Sequence, residues 1–302
     1  MDNDLDTLAT ALYVGTDDFL KARPELAPWR PAVGLAPRIT DAELVTVAVL
    51  QALLGYTSER RWLRHAEADL TCWFPHLPHQ SGYNKRLRKL AGTLQAVLAH
   101  LAANTGLWSD DVWVADSTPV ECGRSRETVH RSELAGWAEY GWCGSHSRWF
   151  WGLRLHLLCT LQGLPVGYAL TGAKADEREV LTGILEALPL PLTEGQTIIA
   201  DRGYYGRDFE AGLAAAEITL LRPARKGEKP RRGQHLLKPL RQVIESINAT
   251  LKTHLNLEAH GGRTIAGVTV RVLQRILALT AAIWHNLNVG NRPLRSLTAY
   301  DH

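Results

Sequence analysis

Over residues 41–54 apolar side chains recur every three or four positions, the period of a helix, and Thr40 stands just before them as an N-cap. Gly55-Tyr-Thr-Ser58 breaks that pattern, and a second helix follows, carrying Arg60, Arg61, Arg64 and His65. Ser81 is the expected N-cap of the next helix, which bears Lys85, Arg86 and Arg88 and runs on to Leu101. Residues 1–105 therefore read as an all-helical domain. Two helices joined by a short turn and followed by a basic helix fit a helix-turn-helix-like DNA-binding region. The solvated basic face of an ordinary bundle produces the same pattern.

The period changes after Gly106. Val112-Trp-Val-Ala115 is a short apolar run ending at Asp116. Residues 149–160 alternate apolar and polar in their second half, residues 161–165 turn, and residues 166–170 return as the second strand of a hairpin. A helix over 176–188 precedes another apolar run, Thr197-Ile-Ile-Ala200, which ends at Asp201. A helix over 209–216, a strand over 218–221 and helix from Leu237 onward complete the order. Residues 106–302 thus read as an α/β domain, a mixed five-stranded sheet flanked by helices. Other mixed α/β arrangements share this order.

The chain has 302 residues, 45% of them hydrophobic, enough for a small domain and a larger one. A charged fraction of 22% with ten tryptophans excludes a disordered polyelectrolyte. The formal net charge is only +3, so the local placement of charge, not its sum, has to identify a nucleic-acid partner. Cys72, Cys122, Cys143 and Cys159 form no CxxC pair and read as reduced thiols. Cys72, His76 and His79 lack a fourth zinc ligand at sensible spacing and read instead as a turn around Pro75 and Pro78. The acidic N-terminus has no basic region followed by an apolar run, as a secretory signal has. Arg271, Gln274 and Arg275 interrupt the apolar stretch 268–287, so it reads as a buried helix and not a membrane span. A cytoplasmic protein without a membrane partner is expected.

Two short strands that both end in Ala-Asp place carboxylates at a sheet edge, where ligands bind. On adjacent strands the two charges would repel unless a cation lay between them, and hard oxygen donors select Mg²⁺ or Mn²⁺. Turn-capping aspartates are the ordinary alternative for each. A third donor is Glu245, in Leu240-Arg-Gln-Val-Ile-Glu-Ser-Ile-Asn-Ala-Thr-Leu-Lys252. Arg241 lies one turn before it and Lys252 two turns after it on the same face. On spacing alone, a salt-bridged surface helix fits this segment equally well. Asp176, Glu177 and Glu179 open a helix, where acids suit the dipole.

Taken in order, Val-Ala-Asp116-Ser-Thr-Pro, Gly152-Leu-Arg-Leu-His-Leu-Leu, Ala-Asp201-Arg-Gly-Tyr-Tyr-Gly206 and Arg241-x3-Glu245-x6-Lys252 resemble the catalytic blocks of bacterial insertion-sequence DDE transposases, over roughly residues 108–290. The resemblance implies a ribonuclease-H-like catalytic domain in which Asp116, Asp201 and Glu245 bind Mg²⁺ or Mn²⁺, two ions in all. It implies that Arg241 and Lys252 contact DNA. The implied activity is metal-dependent cleavage at transposon ends and transfer of the 3′-hydroxyl into target DNA. Partners would be the terminal inverted repeats, target DNA and a second copy in a synaptic complex, in the cytoplasm at the nucleoid. Two positions depart from the pattern: Lys238 stands where the related group has tyrosine, and Arg154 where it often has lysine. The rivals are a ribonuclease-H-like nuclease that only hydrolyses and a non-catalytic DNA-binding descendant.

Residues 222–232 concentrate cations in a Pro- and Gly-containing loop beside the third block, with Arg225, Lys226, Arg231 and Arg232 as expected phosphate contacts. Lys85, Arg86, Arg88 and Arg154 are the other expected DNA contacts. Trp137, Trp142, Trp149 and Trp151 lie in the insertion after the first strand, either as core residues or as stacking partners for unpaired bases.

Overall fold

A computed structural model describes residues 3–30, 33–144, 147–189, 192, 194–231, 233–234 and 237–300. Its elements are α1 (Asn3–Ala22), α2 (Asp41–Leu53), α3 (Glu59–Asp69), α4 (Gln80–Lys89), α5 (Ala91–Asn104), β1 (Val112–Gly123), α6 (Arg126–Arg131), β2 (Glu139–Cys143), β3 (Arg148–Thr160), β4 (Pro165–Gly172), α7 (Glu177–Glu186), β5 (Thr197–Ile199), α8 (Arg207–Ala215), β6 (Thr219–Leu221), α9 (Leu237–Thr253) and α10 (Ile265–Val289). They fall into two compact units, Met1–Leu101 with Leu251–His302, and Ala102–Thr250. The sequence reading had grouped residues 251–302 with the sheet. In the structure α10 packs on α1, α2 and α4.

The helical unit is built around α2, whose residues from Leu44 to Leu53 are all buried. A reciprocal capping box starts it: Glu43 N–H donates to Thr40 Oγ1 at 3.1 Å, and Thr40 N–H donates to Glu43 Oε2 at 2.6 Å. Leu5, Leu8 and Leu12 of α1 supply a buried stripe at helical spacing. Gln274 of α10 donates to Ala48 O at 2.6 Å and to Gln51 Oε1 at 3.2 Å, and Tyr83 of α4 donates to the same oxygen at 2.8 Å. The stretch 268–287 is indeed a buried helix. It is long and apolar enough to cross a membrane, but most of its apolar window is covered by protein. One boundary differs from expectation. Ser81 lies inside α4, which starts after His79 without a side-chain cap, and the helix does not run on to Leu101. The chain turns at Leu90, whose N–H is shared between Arg86 O and Leu87 O, and α5 starts anew with Leu87 and Leu94 both buried.

In the second unit the strands form one sheet in the order β2-β3-β1-β5-β6, with β4 also paired to β3. β1–β3, β2–β3 and β3–β4 are antiparallel; β1–β5 and β5–β6 are parallel. This mixed, helix-flanked sheet is ribonuclease-H-like. The strand absent from the sequence reading is β2, which takes the outer end of β3 where β4 no longer reaches. Its residues Tyr140 and Trp142 are exposed, so it lacks a long apolar run.

Candidate active site

Trp113 and Val114 of β1 and Ile198 and Ile199 of β5 are buried, and they fix the two strands in parallel register with Val114 opposite Ile199. Asp116 and Asp201 each follow two residues later. Residues two apart in a strand share a face, so this register carries both carboxylates to the same side, where the strands part. The sequence placed Asp116 at a strand end. It lies within β1, which runs on to Gly123 paired with β3; what stops beside Asp116 is β5. Asp201 also caps the turn Arg202–Tyr204, its Oδ1 accepting from Gly203 N–H at 2.6 Å.

Burial pushes the Asp116 carboxyl up to about 6, and the negative charges of Asp201 and Glu177 add to this. A backbone bond from Ser117 and the cation of Arg241 oppose it. The field of the same three carboxylates, on top of burial, raises the hydroxyl of the buried Tyr204 well above its ordinary value. Glu177 begins α7, after the N-cap Asp176. Its Oε1 accepts from Ser117 Oγ and from Arg154 Nη1 at 3.4 Å. Arg154 also donates to Ser117 Oγ and to Trp142 O, each at 3.0 Å.

From α9, Asn248 Nδ2 donates to Asp116 Oδ2 at 3.0 Å. Ile244, Ile247 and Leu251 are buried and hold this helix by its apolar side. Arg241, Glu245 and Asn248 follow one another at helical spacing, and both outer members act on Asp116. Glu245 lies between them in this row, with its side chain exposed. The structure therefore brings Asp116 and Asp201 together with Glu177, and it sets Glu245, exposed, on the row of α9 that carries Arg241 and Asn248. No group of three or more His, Cys, Asp or Glu side chains arranged to hold a metal ion occurs among the described residues. The donor set nonetheless fits a hard cation. Repelling carboxylates converge, and Asn248 Oδ1 is buried with no hydrogen-bond partner among the described residues.

The expected DNA contacts include cations engaged within the protein and cations that are exposed. Arg86 donates to Ile39 O and Asp41 Oδ1, both at 2.8 Å, and so ties α4 to the start of α2. Arg231 pairs with Glu210 at 2.5 Å, Arg225 stacks 4.4 Å from the Tyr205 ring centroid, and Lys252 lies 3.7 Å from Glu258. Lys85, Arg88, Arg225 and Lys226 are exposed. Arg232 lies outside the described residues. The loop after β6 is anchored by Arg222, which is 1% exposed and paired with Glu210 and Glu228 at 2.7 and 2.9 Å. Trp142 and Trp149 are exposed and meet edge-on at 5.5 Å, whereas Trp151 is buried. Sequence reasoning missed Asn248, and it read Glu177 only as a helix-start acid. Asn248 carried a signal: a polar residue continuing the apolar stripe of Ile244, Ile247 and Leu251.

The family model of the transposase DDE domain matches residues 107–281. No curated protein and no solved structure matches the chain. The matched stretch covers more than half of the sequence and includes the whole sheet, both strand-borne aspartates and α9. By this match the chain belongs to the family of transposases with a DDE domain.

Proposed function

We propose that this protein cuts DNA at the ends of its own mobile element and joins the freed 3′-hydroxyl to target DNA. The observation that carries the reading is the parallel β1–β5 register, which sets Asp116 and Asp201 side by side under Asn248 and Arg241 of α9. Asp116 and Asp201, with Glu245 closing in from α9, would hold Mg²⁺ or Mn²⁺, two ions in the full site. When bound, such cations polarise the scissile phosphate and lower the pKa of the attacking water.

The chain's own groups do the rest. Asn248 fixes the rotamer of Asp116, and Tyr204 stays protonated as a donor beside the carboxylates. Arg241, one turn from Glu245, offers a cation to the DNA strand that enters over α9. Lys252, Arg154, Lys85, Arg88, Arg225 and Lys226 supply further phosphate contacts, as do Arg86, Arg231 and Arg232. Two ends must be held at once, so the working form is a homodimer on DNA at the nucleoid of the cytoplasm.

The test is a cleavage and joining assay on duplexes bearing the element's own ends, with Mg²⁺, for the wild type and for Asp116→Asn and Asp201→Asn. Joined products that vanish in both variants support the reading. Hydrolysis without joining points to a nuclease. Equal activity in the variants rejects the site.

A further inference from the structure

Around Asp116 and Asp201 two polar atoms are without an assigned purpose. The first belongs to Glu177. Its Oε1 is held by Ser117 and Arg154, which fixes the side chain and turns Oε2 towards Gly203. A Cβ on Gly203 would lie 3.1 Å from Glu177 Oε2 and 2.9 Å from Asp201 Oδ1. Two carboxylate oxygens from different elements thus converge on one point that only a glycine leaves open. The second is Asn248 Oδ1. Asn248 is 9% exposed, its Nδ2 is spent on Asp116, and its Oδ1 has no hydrogen-bond partner among the described residues. Both heteroatoms sit on one carbon, so the unpartnered oxygen also lies beside Asp116.

Ordinary roles explain only half of each residue. A helix-start acid or a counter-ion for Arg154 accounts for Glu177 Oε1 but not for an oxygen that meets Asp201 Oδ1 at the open face of Gly203. A hydrogen-bond donor to Asp116 accounts for Asn248 Nδ2 but leaves a buried carbonyl oxygen unsatisfied. A hard divalent cation accounts for both, because it takes carboxylate and amide oxygens together and offsets the excess negative charge.

We propose that Glu177 and the amide oxygen of Asn248 are two further donors to the cation site of Asp116 and Asp201, with Ser117 and Arg154 as the groups that orient Glu177. The site can then take a divalent ion before DNA binds, while Glu245 is still exposed. This rests on the reading of Asp116 and Asp201 as cation ligands given under the proposed function, and the variants below separate the two ideas.

The experiment titrates the full chain without DNA with Mn²⁺ alone, following the free-ion signal by electron paramagnetic resonance, and records the melting temperature of each metal-free variant. Glu177→Gln keeps an oxygen for Ser117 and removes the charge; Asn248→Ala removes the amide. Each is expected to weaken Mn²⁺ binding about tenfold or more, the scale at which support around a metal is felt. Asn248→Asp, which keeps an oxygen donor in place, is expected to bind at least as tightly as the wild type, and it carries the test if Asn248→Ala fails to fold. Affinity within twofold of the wild type in Glu177→Gln overturns the role of Glu177. The same result in Asn248→Ala, or weaker binding in Asn248→Asp, overturns that of Asn248. Unchanged affinity in Asp116→Asn and Asp201→Asn overturns the underlying reading of the site itself.

Discussion

Gly203→Ala inserts one methyl group between two carboxylates, and the structure sets what it must displace. Gly203 is not in a left-handed conformation, so alanine brings little backbone strain. The new Cβ would stand 2.9 Å from Asp201 Oδ1, whereas ordinary contact begins at 3.4 Å. Asp201 Oδ1 must therefore retreat by about half an ångström, and its 2.6 Å bond from Gly203 N–H lengthens. Glu177 Oε2, at 3.1 Å, must give by a smaller amount. Overpacking a sealed core costs about 1–3 kcal/mol. Both carboxylates here have solvent on one side, so the fold loses less than about 1 kcal/mol, or about 2–4 °C in Tm for a domain of this size. Positioning is less forgiving, since a misplacement of about 1 Å can cost about a hundredfold in rate. The expectation is a drop of about tenfold or more in Mn²⁺ affinity and in the rate of end cleavage, with the melting temperature nearly kept. The assay pairs Mn²⁺ titration and single-turnover cleavage with thermal melting of the same preparation. Wild-type affinity and rate in Gly203→Ala would refute the reasoning. A melting temperature lowered by 10 °C or more would likewise refute it, since the methyl would then be acting on the fold.

The remaining predictions concern what holds the site in place. Arg222→Met strips the buried cation from Glu210 and Glu228, which are partly exposed, so the expected loss is about 2–3 kcal/mol in urea unfolding, below that of a fully sealed pair; an unchanged midpoint would mean that the loop before α9 is not anchored there. In the helical unit, Tyr83→Phe removes one of two donors to Gln51 Oε1 and should cost about 1 kcal/mol. Gln274→Leu removes the bonds to both Gln51 Oε1 and Ala48 O and leaves the latter only its helical partner, so it should cost more, and a reversed order would contradict the network. The hydrogen bond from Arg222 holds the Glu228 carboxyl down at about 2, against an ordinary value of 4.5. The folded value is depressed, so its stabilisation is present above about pH 4.5 and fades as pH falls towards about 2. The melting temperature of Glu228→Gln should therefore fall less steeply than that of the wild type between pH 5 and pH 3, a range that takes in about the upper half of this window; parallel profiles would exclude the pair as a source of acid sensitivity.

Much of the fold was legible because local chemistry and period agree. Thr40 is the cap that the sequence announced, and the runs ending at Asp116 and Asp201 are the buried strands they resemble. Where tertiary packing decides, the sequence was silent or misleading. Ser81 has the chemistry of a cap, but α4 starts one residue earlier. β2 alternates too briefly to be seen, because its outward residues are tryptophan and tyrosine.

By itself the sequence determined which residues carry charge and how strands and helices alternate, since these depend on residue type and short-range spacing. Only the tertiary structure decided which carboxylates meet. The β1–β5 register joins Asp116 to Asp201 across 85 positions of chain. Packing of α7 and α9 then brings Glu177 and Asn248 to that pair. Contacts of this kind depend on how buried faces fit together, and no local pattern encodes that fit.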